Sequence, residues 1–153
     1  MSNSYPAAVL FDMDGTLIDS EHHWLSSEQD LAASWGEKGT SDDGEQLIGM
    51  SLYQSTSLIK EKLGIDLTPS QITELLTDSV IAKLDANTVW RPGALELLDD
   101  LQQKGIKTAL VTMSMRRMAL SVANRLPMGR FDIVVAGDDV SKGKPDPEPY
   151  LRA

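Results

Sequence analysis

The sequence contains no cysteine and no long apolar segment. Without cysteine, the chain has no disulfide framework, no thiolate zinc site and no cysteine nucleophile, and nothing indicates an oxidising compartment. Its apolar runs are far shorter than the roughly 20 residues that cross a bilayer as a helix. The first residues also lack the basic flank and apolar stretch of a signal peptide. We therefore expect a cytoplasmic protein that does not insert into a membrane.

Basic residues are scarce. The chain has 14 Lys and Arg residues against 23 Asp and Glu residues, which gives a net charge of -9. This charge repels nucleic-acid backbones and anionic lipid surfaces, so we expect neither as a partner. An anionic substrate would need a local positive site. The 153 residues, 41% of them hydrophobic, fit one soluble domain of ordinary size or a larger fold that lacks a piece.

The hydrophobic pattern predicts a parallel α/β core interrupted by helices. The apolar run at residues 7–11 is typical of a strand buried on both faces of a parallel sheet. Residues 21–87 have mainly helical patterns, whereas strand and helix patterns alternate from Trp90 onward. We therefore assign residues 1–20 and 88–153 to one α/β core and residues 21–87 to a helical insertion.

The clearest helix of the insertion begins at Thr68. Thr68 can cap this helix, Pro69 suits its first position, and Gln71 completes a capping box. Apolar residues then repeat along one predicted inward face, at Ile72, Leu75, Leu76, Val80 and Leu84. Residues 36–44, rich in glycine, small polar and acidic residues, are expected to form a mobile loop.

The second half of the core contains two further predicted strands, at residues 108–112 and 132–136. A helix near Pro92 precedes the first of them and ends before Gly105. Its inward residues are expected to be Leu95, Leu98 and Leu101. Another helix, at residues 115–126, separates the two strands.

Two carboxylates, Asp12 and Asp14, follow the first predicted strand. In an open α/β sheet, ligands bind at this carboxyl edge. If the strand geometry persists, both side chains project the same way, and Gly15 permits a sharp turn after them. Two adjacent carboxylates repel, which favours a bound cation or a shared proton. A bare D-x-D pattern is more often a solvated acidic loop, so the context decides.

The segment Asp-Met-Asp-Gly-Thr-Leu at residues 12–17, directly after a buried strand, resembles the first signature of the haloacid dehalogenase-like (HAD) hydrolases. The resemblance implies that Asp12 attacks phosphorus to form an aspartyl-phosphate and that Asp14 acts as general acid and base. It also implies Mg²⁺ as cofactor, with Asp12 and the backbone carbonyl of Asp14 as metal ligands beside a later acidic residue.

Two later segments resemble the second and third HAD signatures. Thr112 ends a predicted core strand, and the resemblance makes Thr112 and Ser114, with the helix start that follows, a phosphate-binding segment. Lys144 stands in a Gly-Lys-Pro motif, which implies that it binds phosphate, offsets transition-state charge and restrains Asp12. This motif is no P-loop, because Pro145 stands where Ser or Thr is required. Lys142 is expected to be a surface residue.

The insertion resembles the helical cap of the subgroup that contains β-phosphoglucomutase and small sugar-phosphate phosphatases. The matching pieces are residues 19–21, 48–51 and 91–93. A cap would close over the phosphate ester and select the leaving group. Trp24 stands where the mutases carry a histidine, and Leu52 where they carry a basic residue, so the resemblance favours a phosphatase. Trp24 is expected to be a pocket wall or a hydrophobic anchor.

Two other polar pairs are expected to have structural roles. Consecutive helical residues point about 100° apart, so His22 and His23 cannot both face one metal ion. We expect surface or hinge positions for them. Asp138 and Asp139 are expected to form a turn or a cap.

The fourth HAD signature, an acidic pair after a further strand, is missing between Lys144 and Ala153. The resemblance therefore implies a Rossmann-like parallel α/β core that is incomplete at its C-terminus, with an inserted helical cap. We expect a truncated chain with an open sheet edge that could associate with a partner, weak magnesium binding and little phosphatase activity.

The leading hypothesis is a magnesium-dependent phosphatase that acts on a small sugar or polyol phosphate, so a small phosphorylated metabolite is the expected partner. A β-phosphoglucomutase-like mutase is the second enzyme hypothesis, and a non-catalytic interaction fragment is a third. A receiver-type signalling module is disfavoured, because its phosphoacceptor follows a middle strand, whereas here the acidic pair follows the first. The sequence alone assigns neither the phosphate ester nor the oligomeric state.

Overall fold

The computed structural model describes residues 5–35, 52–126 and 131–153. Residue contacts divide the chain into two units, Met1–Asp19 with Val89–Ala153, and Ser20–Thr88. We call them the sheet unit and the helical unit and describe each by itself. The loop predicted at residues 36–44 and the cap motif at residues 48–51 lie outside the described residues.

The structure has the predicted α/β architecture with a parallel sheet. In chain order the elements are β1 (Ala8–Phe11), α1 (Glu21–Ser34), α2 (Leu52–Leu63), α3 (Pro69–Ala86), α4 (Ala94–Gln103), β2 (Lys107–Val111), α5 (Arg116–Ala123), β3 (Ile133–Val135), a short 3₁₀ helix (Gly137–Asp139) and α6 (Glu148–Arg152). Among the described residues no helix is both long enough and apolar enough to cross a membrane.

The sheet has the strand order β1-β2-β3, and both strand pairs are parallel. Phe11 of β1 is in register with Leu110 of β2, and Leu110 is in register with Val134 of β3. The central strand β2 is the most buried, with Leu110 and Val111 fully enclosed. Helix α5 connects β2 to β3, and its buried residues Met118, Ala119 and Val122 belong to the core of this unit. Because all three strands run parallel, their carboxyl ends meet at one edge of the sheet.

Strand β1 is less buried than predicted. Only Phe11 is buried; Val9 is half-buried, and Ala8 and Leu10 are exposed. The expectation of burial on both faces is wrong, since within the described part of the chain β1 pairs with β2 alone and lies at an edge of the sheet. An apolar run predicts a strand, but it does not distinguish a central strand from an edge strand.

Helix α4 follows the prediction closely. Leu98 and Leu101 are buried, and Leu95 is half-buried. The helix ends before Gly105, whose φ of 67° lies in the left-handed region that favours glycine. Helix α5 is shorter than the predicted 115–126, because it begins at Arg116 and ends at Ala123.

The helical unit is built from α1, α2 and α3, with α3 packed against both of the others. Its hydrophobic core consists of Leu31, Ile59, Ile65, Ile72 and Leu76, with Trp24, Leu63 and Leu67 packed against them. The position of Trp24 against this core matches the predicted hydrophobic anchor.

Helix α3 confirms the predicted capping box. The Gln71 N–H donates to Thr68 Oγ1 at 3.2 Å, and the Thr68 N–H donates to Gln71 Oε1 at 2.9 Å. Four of the five predicted inward residues are buried, but Leu75 is 44% exposed. At 100° per residue, Leu75 lies about 60° from Ile72 on the side away from the other three, at the margin of the apolar stripe.

The two histidines differ in burial. His22 is exposed, as expected of a surface residue, whereas His23 is buried. The His23 Nε2 atom lies 3.0 Å from the Asn87 carbonyl oxygen, to which it donates. This contact ties the beginning of α1 to the residue that follows α3, where the chain enters and leaves the helical unit.

The helical unit also contains polar groups that its interior does not satisfy. The hydroxyls of Ser27 on α1 and Thr77 on α3 are buried without a hydrogen-bond partner among the described residues. Next to Ser27, burial raises the pKa of the half-buried Glu28 carboxyl to about 7. Desolvation disfavours the charged carboxylate. At pH values between the ordinary glutamate pKa and the raised one, the folded unit therefore keeps a proton on Glu28 that the unfolded chain releases.

We predict that Glu28→Gln stabilises the protein at pH 8 but not at pH 4. Between the ordinary glutamate pKa of about 4.3 and the folded value, the unfolded chain binds fewer protons, so stability falls as pH rises. Glutamine removes this penalty, and we expect a gain of about 1 kcal/mol at pH 8 after allowing for solvent screening of a half-buried group. Urea unfolding at both pH values measures the difference.

The matched control is Glu61→Gln, which removes an exposed carboxylate from α2. Equal stabilisation by both variants, or a Glu28→Gln effect of the same size at pH 4 and pH 8, would contradict the assignment.

Candidate active site

Side chains from three chain segments meet at the carboxyl edge of the sheet. Asp12 and Asp14 follow β1, Thr112 and Ser114 follow β2, and Lys144 lies in the loop after β3. Hydrogen bonds connect these five residues in two groups, one around Asp12 and one around Asp14. The structure thus brings together the residues that the sequence analysis singled out, while their chemical roles stay predictions.

The turn after β1 presents the two carboxylates. Met13 is fully buried, whereas Asp12 and Asp14 on either side of it are half-buried, which is the alternation of an extended chain. The Met13 carbonyl accepts hydrogen bonds from the N–H groups of the turn that follows. Gly15 has a φ of 74°, a conformation that glycine adopts without steric cost.

Asp12 is paired with Lys144. The Lys144 Nζ lies 2.8 Å from Asp12 Oδ1 and also donates to the Val111 carbonyl oxygen at 2.8 Å. The lysine side chain is 21% exposed and the aspartate side chain 40% exposed, so water only partly screens the pair. An ammonium group has three N–H donors, and these two contacts use two of them.

The Lys144 ammonium has an aromatic neighbour as well. It lies 5.2 Å from the centroid of the Tyr150 ring, within the range of a cation–π interaction. On Asp12, the second carboxylate oxygen is 3.4 Å from the Thr16 hydroxyl, a long contact that leaves this oxygen weakly held.

Asp14 accepts hydrogen bonds from the residues after β2. Ser114 Oγ donates to Asp14 Oδ2 at 2.6 Å, and Thr112 Oγ1 lies 3.4 Å from the same oxygen. The Ser114 N–H in turn donates to Thr112 Oγ1 at 3.1 Å. Both hydroxyl residues are buried. This arrangement fixes one carboxylate oxygen of Asp14 against the end of β2.

The loop that carries Lys144 is held by Glu148, which the sequence analysis missed. The Glu148 carboxylate accepts from the N–H and hydroxyl of Ser141 at 3.0 and 3.2 Å and from the Lys142 N–H at 2.9 Å. Arg152 forms an ion pair with it at 3.1 Å. The Ser141 N–H is the main cause of a pKa lowered below the ordinary glutamate value, with further contributions from Lys142 and Arg152.

Met113 is a second residue whose contribution was missed. Its sulfur accepts the Lys144 N–H at 3.1 Å, and a Cβ added at Gly143 would lie 2.9 Å from the same sulfur. Glycine at position 143 therefore permits the close approach of the loop to the residues after β2. No sequence pattern marks either Met113 or Glu148, since both act through contacts between distant chain segments.

The remaining polar residues have the predicted structural roles. Asp138 Oδ1 accepts the Arg116 N–H at 2.7 Å, at the first residue of α5, and Asp139 Oδ2 accepts the Ala136 N–H at 2.9 Å. The capping expectation for this pair is confirmed. Lys142 is exposed, as expected.

The donor atoms at this edge suit a hard cation. By the HAD resemblance, the Asp12 carboxylate and the Asp14 backbone carbonyl would be the oxygen ligands, which magnesium prefers, and magnesium commonly completes its coordination with water and phosphate oxygens. In the described parts of the chain, no group of three or more His, Cys, Asp or Glu residues could hold a metal ion. The oxygen atoms of Asp12 and Asp14 are of the kind that magnesium prefers, and a site built on them would have two protein ligands.

The sequence profile of the haloacid dehalogenase-like hydrolases matches residues 9–153. The chain belongs to this family of hydrolases. The match includes both carboxylates after β1, the hydroxyl residues after β2 and the lysine loop, so the HAD resemblance predicted from the sequence is confirmed.

Two curated relatives of this HAD hydrolase are phosphatases. A phosphorylated carbohydrates phosphatase from Thermotoga maritima is 33% identical over 145 residues, which cover 94% of this chain and 67% of the relative. A validoxylamine A 7'-phosphate phosphatase from Streptomyces hygroscopicus subsp. limoneus is 31% identical, with 95% and 68% of the two chains covered. The chain thus spans about two thirds of the length of these relatives.

A solved structure supports the fold. CbbY from Rhodobacter sphaeroides, in complex with phosphate, superposes with a TM-score of 0.86 over 97% of this chain and 71% of that chain. The two sequences are 22% identical, so this likeness supports the fold alone.

We predict that Glu148→Gln destabilises the HAD hydrolase at pH 7 and that the difference is smaller at pH 3, below the ordinary glutamate pKa. A lowered folded pKa contributes stability above the ordinary glutamate pKa, and this stability is lost as pH falls through the folded value. Glutamine keeps the shape but loses the charge. Thermal unfolding followed by circular dichroism at both pH values measures the effect.

Glu96→Gln, at an exposed position in the first turn of α4, is the control for loss of one carboxylate. A melting-temperature difference for Glu148→Gln that persists unchanged at pH 3 would show that its charge is not what holds the lysine loop.

Proposed function

We propose that this HAD hydrolase is a magnesium-dependent phosphatase that hydrolyses a small sugar or polyol phosphate through an aspartyl-phosphate on Asp12. The observation that carries the proposal is the 2.8 Å ion pair between Lys144 and Asp12. Two residues after Asp12, Asp14 accepts a hydrogen bond from Ser114. The phosphatase relatives support the reaction class, and their phosphorylated carbohydrate and validoxylamine 7'-phosphate substrates support the substrate class.

In the first step, a carboxylate oxygen of Asp12 attacks phosphorus. The other carboxylate oxygen of Asp12 stays hydrogen-bonded to Lys144, which keeps the attacking group in one orientation. The bond from phosphorus to the substrate oxygen breaks, and Asp14 gives that oxygen a proton, which makes the leaving group a neutral alcohol. The products are the alcohol and the aspartyl-phosphate.

In the second step, water hydrolyses the aspartyl-phosphate. Asp14, now ionised, accepts a proton from the water as the water oxygen attacks phosphorus. The bond from phosphorus to Asp12 breaks, which releases inorganic phosphate and restores both carboxyl groups to their starting states. Asp14 thus acts first as an acid and then as a base.

The phosphoryl group would be bound by donors at the same edge. Lys144 has one N–H beyond those that Asp12 and Val111 accept, and Thr112 lies beside Asp14 at the end of β2. A lysine at this place gives an acidic protein the local positive charge that a phosphate ester requires.

Asp12 and the Asp14 backbone carbonyl would hold magnesium, which supplies positive charge to offset the phosphoryl oxygens. Only one of these two ligands, Asp12, is a charged carboxylate. Asp12 already has an ammonium partner. We therefore propose that this chain binds magnesium weakly and turns over slowly.

We assign the sheet unit as the catalytic core, because all five site residues belong to it. By resemblance, the helical unit is the cap. Hydrolysis is favoured over a mutase reaction because Trp24, at the position of the mutase histidine, packs against the core of the helical unit and has no titratable group to transfer protons.

Asp12→Asn is expected to abolish phosphoenzyme formation and to lower turnover by at least about 1,000-fold, because the amide is a poor nucleophile. The assay uses p-nitrophenyl phosphate with millimolar magnesium, and acid quenching of a reaction with labelled substrate detects phosphate bound to the protein. Asp66→Asn, at an exposed position in the helical unit, is the control. Retained turnover in Asp12→Asn would remove Asp12 as nucleophile.

Lys144→Gln is expected to lower kcat by about 100- to 1,000-fold, because a positive charge that faces the transferring phosphoryl group is lost. The chain offers a matched control two residues away. Lys142→Gln removes an exposed lysine from the same loop and should keep wild-type kinetics. Equal losses in both variants would indicate that the general charge of the loop, and not the Lys144 contact with Asp12, supports turnover.

A further inference from the structure

We infer that Ser114 is a positioning residue that holds the Asp14 carboxylate and that its hydroxyl is not a ligand of the phosphoryl group. The inference rests on the proposed function, in which Asp14 transfers protons. It departs from the expectation that the resemblance gave for this side chain. It assigns phosphate contact at this edge to Lys144 and to Thr112, whose hydroxyl lies 3.4 Å from Asp14 and is held less tightly than that of Ser114.

Ser114 has too few protons to donate to both Asp14 and a phosphoryl group. A serine hydroxyl has one proton to donate. In the structure that proton is directed to Asp14 Oδ2 at 2.6 Å, the length of a charge-assisted hydrogen bond from a hydroxyl to a carboxylate. The Ser114 oxygen could then only accept a hydrogen bond, and a fully ionised phosphate ester has none to give. Ser114 cannot serve both groups at once.

Buried contacts support the Ser114 hydroxyl. The Ser114 N–H donates to Thr112 Oγ1, which lies 3.4 Å from the same Asp14 oxygen. The three residues thus form a closed set of contacts in which Ser114 and Thr112 are 7% and 1% exposed. Water has little access to compete for these bonds. Asp14 is therefore held by the segment after β2, about 100 residues further along the chain.

Proton transfer by Asp14 requires that its carboxyl group be held in one position. A general acid must approach the accepting oxygen to about 2.6–3.2 Å, and a misplacement of about 1 Å can cost about 100-fold in rate. Asp14 lies directly before the turn at Gly15, and its backbone pairs with Ile18. The bond from the buried Ser114 hydroxyl orients one carboxylate oxygen of Asp14.

The test compares Ser114→Ala with Ser114→Thr in the full 153-residue chain. With p-nitrophenyl phosphate, Ser114→Ala should lower kcat by about 10- to 100-fold, because Asp14 loses its restraint. KM and the inhibition constant of inorganic phosphate should stay unchanged. Ser114→Thr keeps a hydroxyl and should recover most of the lost kcat. A weaker phosphate affinity with kcat retained in Ser114→Ala would overturn the inference and make Ser114 a phosphate ligand.

A second readout does not depend on turnover. Crystal structures of the wild type and of Ser114→Ala should show the Asp14 carboxylate rotated in the variant, with the Lys144 to Asp12 distance unchanged. An Asp14 side chain that keeps its position in Ser114→Ala would overturn the positioning role. If the wild type hydrolysed no phosphate ester, the proposed function would fail, and the crystal comparison would still decide whether Ser114 positions Asp14.

Discussion

The ion pair between Lys144 and Asp12 is the contact on which the candidate site depends. It joins the end of the first strand to a loop beyond the third, and the same ammonium group also donates to the last carbonyl of the central strand. One side chain thus ties all three segments of the sheet edge together. In a chain with a net charge of -9, it also puts a positive charge where a phosphate ester would otherwise meet only carboxylates.

This contact needs support from residues that take no part in chemistry. Glu148 closes the lysine loop by accepting hydrogen bonds from Ser141 and Lys142, and Gly143 lets the loop approach the sulfur of Met113. These contacts together hold the loop so that the Lys144 ammonium lies 2.8 Å from a carboxylate oxygen of Asp12. The precision of the site therefore resides in the loop as much as in the strands.

The fold class could be predicted from the sequence, because an apolar run followed by polar residues indicates a strand and its carboxyl end. This holds for strands at the centre and at the edge of the sheet. The sequence was also sufficient for the group of Asp12, Asp14, Thr112 and Lys144, because parallel strands bring their carboxyl ends together. It did not predict the exposure of β1, since neighbouring strands determine burial. It missed Glu148, whose hydrogen bonds are made to backbone groups that any residue carries.

The charges of the site set what the proposed reaction must supply. When ionised, Asp12 and Asp14 carry two negative charges against one positive charge on Lys144, so a phosphate dianion would bring the group to three negative charges. In a partly buried site this excess is costly, because few water molecules screen it. A proton on Asp14 and a divalent cation on Asp12 would together cancel it. Under the proposed function, general acid catalysis and magnesium dependence thus follow from one charge imbalance, and a Ser114 hydroxyl that fixes Asp14 determines where the proton is delivered.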